Sequence, residues 1–261
     1  MTTHNWLDYF GARFDCGESV EPRYRYAIFS SQRTGSNYLC ARLLNVKDCL
    51  GIPMEYLHAD AVRVMGCRLF PGVAGAVSVG SYLNAVAGVR TTRDGWFGTK
   101  IQPNQMLPLL DGDFARIVGF LRGFDRLIFM TRGDKLGQAI SGAIAHATGV
   151  WFNFGDEPDL EGMDVARLFP RIDHLQLQYV EAERLIRAIG SHLADHPLLH
   201  ISYEEVLENP NEVFQRVLGF LGIVDPALVE EKVIALPTQR PPGVLAERVR
   251  AAYLVRLAES Q

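Results

Sequence analysis

Cysteine is scarce in this chain of 261 residues, whose four cysteines are Cys16, Cys40, Cys49 and Cys67. They form no CxxC pair, and no histidine lies at metal-ligand spacing from them. So few cysteines exclude a disulfide-stabilised scaffold and favour a reducing compartment. We therefore expect neither a disulfide framework nor a bound metal.

We expect no signal peptide at the N-terminus, because MTTHNWLDYFGARFDC contains no basic segment followed by an apolar run. The chain also lacks a strong charge bias, and its net charge of −4 gives no reason to expect nucleic acid or an anionic membrane as a partner. We therefore expect a cytoplasmic protein. Any anion site must be a local concentration of Arg, Lys and backbone N–H groups.

Long hydrophobic runs are also missing, and residues 71–89 come nearest to one. Residues 71–89 carry no charge and are flanked by Arg68 and Arg90. Their glycines, serines and asparagine make the stretch weakly hydrophobic for a membrane span. We expect instead a helical segment that is buried or covers an interface or the acceptor cleft.

What the sequence does contain is ordinary for a globular protein, with 48% apolar and 21% charged residues. No internal repeat, low-complexity tract or long linker divides it. One large domain over residues 1–261 therefore fits this length better than two.

Short apolar runs bounded by turn residues predict four buried strands, over residues 26–30, 96–101, 126–131 and 198–202. Amphipathic segments predict helices over residues 37–46, 135–148, 172–189 and 211–221. Strands alternating with helices are typical of an α/β fold with a central, mainly parallel sheet flanked by helices. In such sheets ligands bind beyond the carboxyl ends of the strands.

The segment SSQRTGSNYL, residues 30–39, joins the first predicted strand to the first predicted helix. This geometry directs backbone N–H groups and a helix N-terminus at one point, which makes an anion site. The loop lacks the first Gly and the Lys of the nucleotide-binding motif GxxxxGK[ST], and it offers Arg33, Thr34, Gly35 and Ser36 instead. A guanidinium and two hydroxyls suit a 5′-phosphate or phosphosulfate held without a metal. The alternative is a plain turn in which Ser36 only caps the helix.

A second anion-binding site is predicted at the end of the third strand. Arg132 follows that strand directly, and Ser141 lies on the next predicted helix. Two anion-binding sites at neighbouring strand ends suggest a nucleotide that is phosphorylated at two positions. The alternative for Arg132 is an ion pair with Asp134 or Asp125.

Five segments together resemble sulfotransferases that use 3′-phosphoadenosine 5′-phosphosulfate (PAPS). They are SSQRTGSNYL, GIPMEYL, GWFGTKIQPNQ, TRGDKLGQAIS with the following TGVW, and ISYEEVLENPNEVFQRVLGFLGI. The second and third resemble the bacterial trehalose 2-sulfotransferase type, and the rhizobial nodulation-factor enzyme is a more distant likeness. The resemblance runs from about residue 26 to about residue 253. It implies a P-loop-like, three-layer α/β fold in a single sulfotransferase domain.

The resemblance also implies which residues bind the donor. Those expected at the 5′-phosphosulfate are Arg33, Thr34, Gly35, Ser36 and Asn37. Those expected at the 3′-phosphate are Arg132 and Ser141, and Arg240 would close over the nucleotide.

Sulfuryl transfer needs a base for the acceptor hydroxyl, and Glu55 lies where the trehalose-type enzyme has its proposed base. His58, three residues on, is the rival base, and for either residue the alternative is a polar group at a helix start. Lys100 and Arg33 are the candidates for stabilising the leaving phosphate, with a surface lysine as the alternative for Lys100. This chemistry requires no metal.

The expected acceptor is a carbohydrate hydroxyl, on trehalose, another sugar or a lipid-linked sugar. The resemblance implies that Gln32, Glu55 and Tyr56 lie on the acceptor side. Leu57 stands where the trehalose type commonly has an aromatic residue, and Pro103 stands where it carries Trp, so these departures concern the acceptor more than the chemistry. Trp151 and Phe152 wall the sugar site or belong to the core. The family also suggests a homodimer.

Two other functions share part of this pattern. A P-loop kinase or NTPase would bind ATP with magnesium, and the missing GxxxxGK[ST] motif counts against it. A non-catalytic nucleotide-binding module would keep the fold without the base, and the presence of Glu55 and Lys100 counts against that function.

Overall fold

The computed structural model describes residues 6–17, 20–46, 49–73, 75–151, 164–223 and 243–259. Its strands are β1 (Tyr24–Ser30), β2 (Trp96–Ile101), β3 (Arg126–Thr131) and β4 (Leu198–Ser202). They form a parallel sheet in the order β2-β1-β3-β4. The four predicted strands and the parallel sheet are confirmed, and only β1 starts earlier than predicted.

Helices surround the sheet. They are α1 (Ser36–Leu44), α2 (Ala59–Leu69), α3 (Val79–Arg90), α4 (Pro103–Leu109), α5 (Phe114–Arg122), α6 (Lys135–Thr148), α7 (Phe169–His192), α8 (Tyr203–Glu208), α9 (Pro210–Phe220) and α10 (Val244–Glu259). Short 3-10 helices cover Trp6–Phe10, Ala12–Phe14 and Val165–Leu168. The four predicted helices correspond to α1, α6, α7 and α9, and α7 extends beyond its prediction at both ends.

An apolar cluster packs on each face of the sheet. Along β1, Ala27 and Phe29 face a cluster with α2, α3, α5 and α7, whereas Tyr26 and Ile28 face one with α1 and α9. Strands buried on both faces give the continuous apolar runs from which they were predicted. The expected three-layer α/β arrangement is therefore confirmed.

The uncharged stretch 71–89 is helical only in its second part. Residues 71 and 72 form a turn, and Val73 is 57% exposed. Helix α3 begins after Ser78, whose Oγ accepts a hydrogen bond from Ser81 N at 3.1 Å, and its inner face buries Tyr82 and Val86. Across the described ranges, no helix is both long enough and apolar enough to cross a membrane.

Parallel strands bring several polar segments to one edge of the sheet. The loop after β1, the last residues of β2 and the segment after β3 all lie at the carboxyl ends of adjacent strands. This is the edge at which ligands bind in open α/β sheets.

Candidate active site

The loop between β1 and α1 is a tight turn with two left-handed residues. Arg33 has φ 61° and Gly35 has φ 78°. This conformation is easy for glycine but uncommon for arginine, so the loop is held by its surroundings. Thr34 is fully buried, and its Oγ1 donates to Ser31 O at 3.0 Å. A methyl group at Gly35 would lie 3.2 Å from the ring of Tyr203, so space as well as φ favours glycine here.

Glu55 is brought to this edge by a short extension of the sheet. Met54 forms a parallel bridge with Thr99, and Met54 O accepts a hydrogen bond from Lys100 N at 2.9 Å. Lys100 Nζ then donates to Glu55 Oε1 at 2.6 Å and also to Asn37 Oδ1. One ammonium group therefore connects the predicted base with the first turn of α1.

Lys100 is a buried residue and not a surface lysine, because it is only 3% exposed. A fixed positive charge that is shielded from water stabilises nearby negative charge far more strongly than an exposed one does. Its contacts with Glu55 and Asn37 place it between the predicted base and the predicted phosphosulfate loop.

Gln105 holds the second oxygen of the Glu55 carboxylate and was not given a role from sequence. Its Nε2 donates to Glu55 Oε2, and its Oε1 accepts from Gln102 N at 3.2 Å. The order Gln-Pro-Asn-Gln after a strand could have indicated this role. It is typical of a helix start in which the side chain of the third helical residue, here Gln105, hydrogen-bonds back to the cap residue.

Two opposing effects act on the pKa of Glu55. Burial disfavours the charged carboxylate, but the charge of Lys100 and the hydrogen bonds from Lys100 and Gln105 outweigh it, so the pKa of Glu55 lies below its usual value. Glu55 is therefore ionised at neutral pH, which is the state that a general base requires.

His58 has the role of a helix cap. Its Nδ1 accepts a hydrogen bond from Asp60 N at 3.3 Å at the start of α2, and its ring packs edge-on against Trp6 with centroids 4.8 Å apart. Residues 55–58 form a turn and not a helix, so Glu55 and His58 do not share a helix face.

The two other residues expected on the acceptor side, Gln32 and Tyr56, have different surroundings. Tyr56 is fully buried, stacks on Phe97 and donates its hydroxyl to Ile52 O at 2.7 Å, so it supports the turn that carries Glu55 from within the core. The side chain of Gln32 faces α7, where its Oε1 accepts from Tyr179 OH at 3.5 Å. None of these contacts involves the Glu55 carboxylate.

Arg33 contacts both residues of the second predicted anion site. Its Nε donates to Ser141 Oγ at 2.9 Å, and its NH1 donates to Trp151 O at 2.9 Å. Arg132 NH1 in turn donates to Arg33 O at 3.2 Å. The residues assigned to two separate phosphates thus form one basic cluster.

Gln138, on α6, is a second residue that the sequence did not single out. It is fully buried, and its Nε2 donates to Ser31 Oγ at 2.9 Å and to Gln32 O. Because Ser141 lies on the same helix, Gln138 fixes the distance between the loop after β1 and the segment after β3.

Arg132 is a buried cation with spare hydrogen-bonding capacity. It is 8% exposed, its guanidinium lies 4.1 Å from the ring centroid of Tyr203, and its Nε has no hydrogen-bond partner among the residues described. Burial, partly offset by Tyr203, lowers its pKa. Unpaired buried donors are uncommon in proteins, and one next to an exposed helix start is typical of an anion site.

The alternative ion pairs for Arg132 do not form in the described part of the chain. Asp134 pairs with Arg250, and Asp125 accepts a hydrogen bond from Arg25 N at 2.7 Å. The ring of Trp151 packs edge-on against His146, with centroids 4.8 Å apart. Phe152 and Arg240 lie outside the described residues. Within the described ranges, no group of three or more His, Cys, Asp or Glu is arranged to hold a metal ion.

The chain matches the family model described as Stf0 sulphotransferase over residues 25–241, which include the loop after β1, Glu55, Lys100, Arg132 and Ser141. Among curated proteins, none matches the sequence.

Solved structures with a similar chain course have low sequence identity. A sulfotransferase from Alicyclobacillus acidocaldarius is 15% identical, with 90% of this chain and 93% of that chain covered and a TM-score of 0.47. The sulfotransferase domain from the curacin biosynthetic pathway is 12% identical, with 89% and 98% covered and a TM-score of 0.46. The sulfotransferase domain from the Synechococcus PCC 7002 olefin synthase is 16% identical, with 94% and 96% covered and a TM-score of 0.44.

Proposed function

Because the chain belongs to the Stf0 sulphotransferase family, we propose that it transfers a sulfuryl group from PAPS to a carbohydrate hydroxyl on trehalose, another sugar or a lipid-linked sugar. The observation that supports this proposal best is the ion pair of Lys100 with Glu55, which also reaches Asn37 in the first turn of α1. It joins a base, a fixed positive charge and an anion-binding loop within one network.

The basic cluster fits a donor with phosphates at two positions. The loop from Arg33 to Asn37 and the N-terminus of α1 would hold the 5′-phosphosulfate. Arg132, with its unpaired Nε, and Ser141 would hold the 3′-phosphate. Arg33 touches Ser141 and so lies between the two groups, a position from which one guanidinium serves both.

The geometry supports a direct transfer. The Glu55 carboxylate takes the proton of the acceptor hydroxyl while the oxygen of that hydroxyl bonds to sulfur. The bond between sulfur and the bridging oxygen breaks, and 3′-phosphoadenosine 5′-phosphate leaves. Such a base contributes about 10²–10⁴-fold to the rate. Lys100 stabilises the negative charge that collects on the departing 5′-phosphate, in a position from which water is largely excluded.

The test of the donor is thermal stabilisation by 3′-phosphoadenosine 5′-phosphate compared with ATP and magnesium. A ligand at about 100 times its dissociation constant adds about 2.7 kcal/mol and raises the midpoint by about 5–10 °C in a domain of this size. We expect this shift with the bisphosphate alone. Arg132→Ala should abolish it, whereas Arg126→Ala, at the other end of β3, should keep it.

A shift with ATP and magnesium alone would contradict the proposal and favour a kinase or NTPase. If the bisphosphate shift is found, labelled PAPS with a panel of trehalose, other sugars and glycolipids identifies the acceptor. Glu55→Gln should keep the bisphosphate shift and lose turnover, and turnover retained by this variant would remove Glu55 as the base. The single domain, the homodimer and the cytoplasmic location stay predictions.

A further inference from the structure

A second arginine from a distant part of the chain lies beside Arg132. A methyl group placed on Gly137 would be 2.9 Å from Arg132 NH2 and 2.6 Å from Arg250 NH2. Arg132 follows β3 and Arg250 lies on α10, so the two guanidinium groups converge above the first turn of α6. Asp134 Oδ2 lies closer still to this point, so both arginines converge on the carboxylate that caps α6.

The Asp134 carboxylate lies between Arg250 and the N-terminus of α6. Asp134 Oδ1 accepts from Gly137 N at 2.9 Å as the N-cap of α6, and its Oδ2 accepts from Arg250 NH2. Glu204, the neighbouring acid, is engaged by Gly133 N at 3.0 Å and Asp134 N at 3.3 Å. Among the described residues, no carboxylate lies within ion-pair distance of Arg132, because Asp134 pairs with Arg250 and Glu204 accepts from backbone N–H groups.

Exposure indicates how an anion reaches the cluster. Arg132 is almost completely buried, whereas the side chains of Arg250 and Asp134 are 39% and 44% exposed. A phosphate that enters from solvent therefore meets Arg250 before it meets Arg132. A guanidinium offers two parallel donors to a phosphate, and the three oxygens of a terminal phosphate suffice for two arginines.

We propose that Arg250 is a second ligand of the donor's 3′-phosphate, with Asp134 as the internal anion that holds it in place until the donor binds. The inference rests on the proposed function and adds a specificity-determining residue to it. Arg250 exchanges its carboxylate partner for the phosphate, and it thereby distinguishes a 3′-phosphorylated nucleotide from one without that group.

The experiment is calorimetric titration of the intact protein with 3′-phosphoadenosine 5′-phosphate and, separately, with adenosine 5′-phosphate. The variants are Arg250→Ala, Arg250→Lys and Asp134→Asn, since asparagine keeps the N-cap but removes the charge. Arg256→Ala is the matched control, because Arg256 also forms an ion pair from α10, with Asp173 at 2.9 Å.

We expect Arg250→Ala to weaken binding of the bisphosphate by about 10- to 100-fold, as for the loss of hydrogen bonds to a charged group, and to change binding of the monophosphate by less than about twofold. Arg250→Lys should restore part of the loss, and Arg256→Ala should leave both affinities unchanged. Asp134→Asn should strengthen bisphosphate binding, because the competing charge is gone.

Equal bisphosphate affinity in the wild type and Arg250→Ala would overturn the inference and leave the proposed function intact. So would a loss in Asp134→Asn as large as that in Arg250→Ala, because the ion pair would then only dock α10 onto α6. A wild-type protein that binds the two nucleotides equally would overturn the proposed function and this inference with it.

Discussion

Glu55 shows at the residue scale how a buried carboxylate stays charged. Lys100 binds one of its oxygens and Gln105 the other, and these contacts outweigh the cost of burial. A pKa that folding lowers adds stability above the pKa of the unfolded glutamate, which is about 4.3. That stability is lost as the pH falls through the folded value.

Glu55→Gln should therefore destabilise the protein in a pH-dependent way. At pH 7 the variant leaves Lys100 buried without its counter-charge, and we expect a loss of about 2 kcal/mol in the free energy of unfolding. The difference from the wild type should shrink as the pH falls below the unfolded value of about 4.3 and through the lower folded pKa, because the wild-type carboxyl then becomes protonated as well. Urea unfolding across this range measures it.

The control is Glu181→Gln, which removes an exposed partner of Arg184 and should change stability little at any of these pH values. A Glu55→Gln difference that stays constant with pH would mean that the ion pair with Lys100 does not set the charge state of Glu55.

At the scale of elements, the position of α6 depends on its contact with α7. Helix α6 carries Gln138 and Ser141, which reach the loop after β1. A methyl group at Gly142 would lie 2.6 Å from Tyr179 OH and 3.0 Å from Leu175 Cδ1, both on α7. The two helices therefore approach more closely at this glycine than a side chain permits.

Gly142→Ala should lower the free energy of unfolding by about 1–3 kcal/mol, because the overlap with α7 exceeds the gain in helix propensity. Gly119→Ala, on α5, is the matched control, since a methyl group there meets nothing within 4 Å. That variant should raise stability by about 0.5–1 kcal/mol. Denaturant unfolding of both variants checks the pair, and a stabilising Gly142→Ala would mean that α6 and α7 are farther apart.

At the scale of the whole molecule, one carboxylate attaches the N-terminal segment to the helical layer. Asp15 Oδ1 lies 3.3 Å from Arg90 Nε and accepts from Arg68 NH2 at 3.0 Å. Arg90 is fully buried and also donates to Phe14 O and Gly11 O. The same segment places Trp6 against His58, next to the turn that carries Glu55.

Asp15→Ala should lower the free energy of unfolding by about 3–5 kcal/mol, because it leaves a buried guanidinium without its counter-charge. Asp8→Ala, which removes an exposed pair with Arg13 at 3.7 Å, should cost less than about 0.5 kcal/mol. Guanidinium unfolding compares them, and equal effects would show that Asp15 does not anchor the segment.

Local patterns along the chain were enough to predict several features of this protein. The four strands are buried on both faces, so their apolar runs located them to within a few residues, and their alternation with helices predicted the parallel sheet. The loop SSQRTGSNYL, Lys100 and Arg132 followed from the same logic, because residues after parallel strands meet at one edge. The Glu55 assignment came from the resemblance of a short motif.

Which of these side chains touch depends on long-range packing. Gln105 contacts Glu55, which is 50 positions away in the sequence, and Gln138 contacts Ser31, which is 107 positions away. No local pattern encodes contacts at such separations. Packing from several elements buried Tyr56, and the guanidinium of Arg33, which follows a left-handed turn, reaches Ser141. Arg250 reaches Arg132 because α10 docks on α6, and long-range packing of this kind depends on the whole core at once.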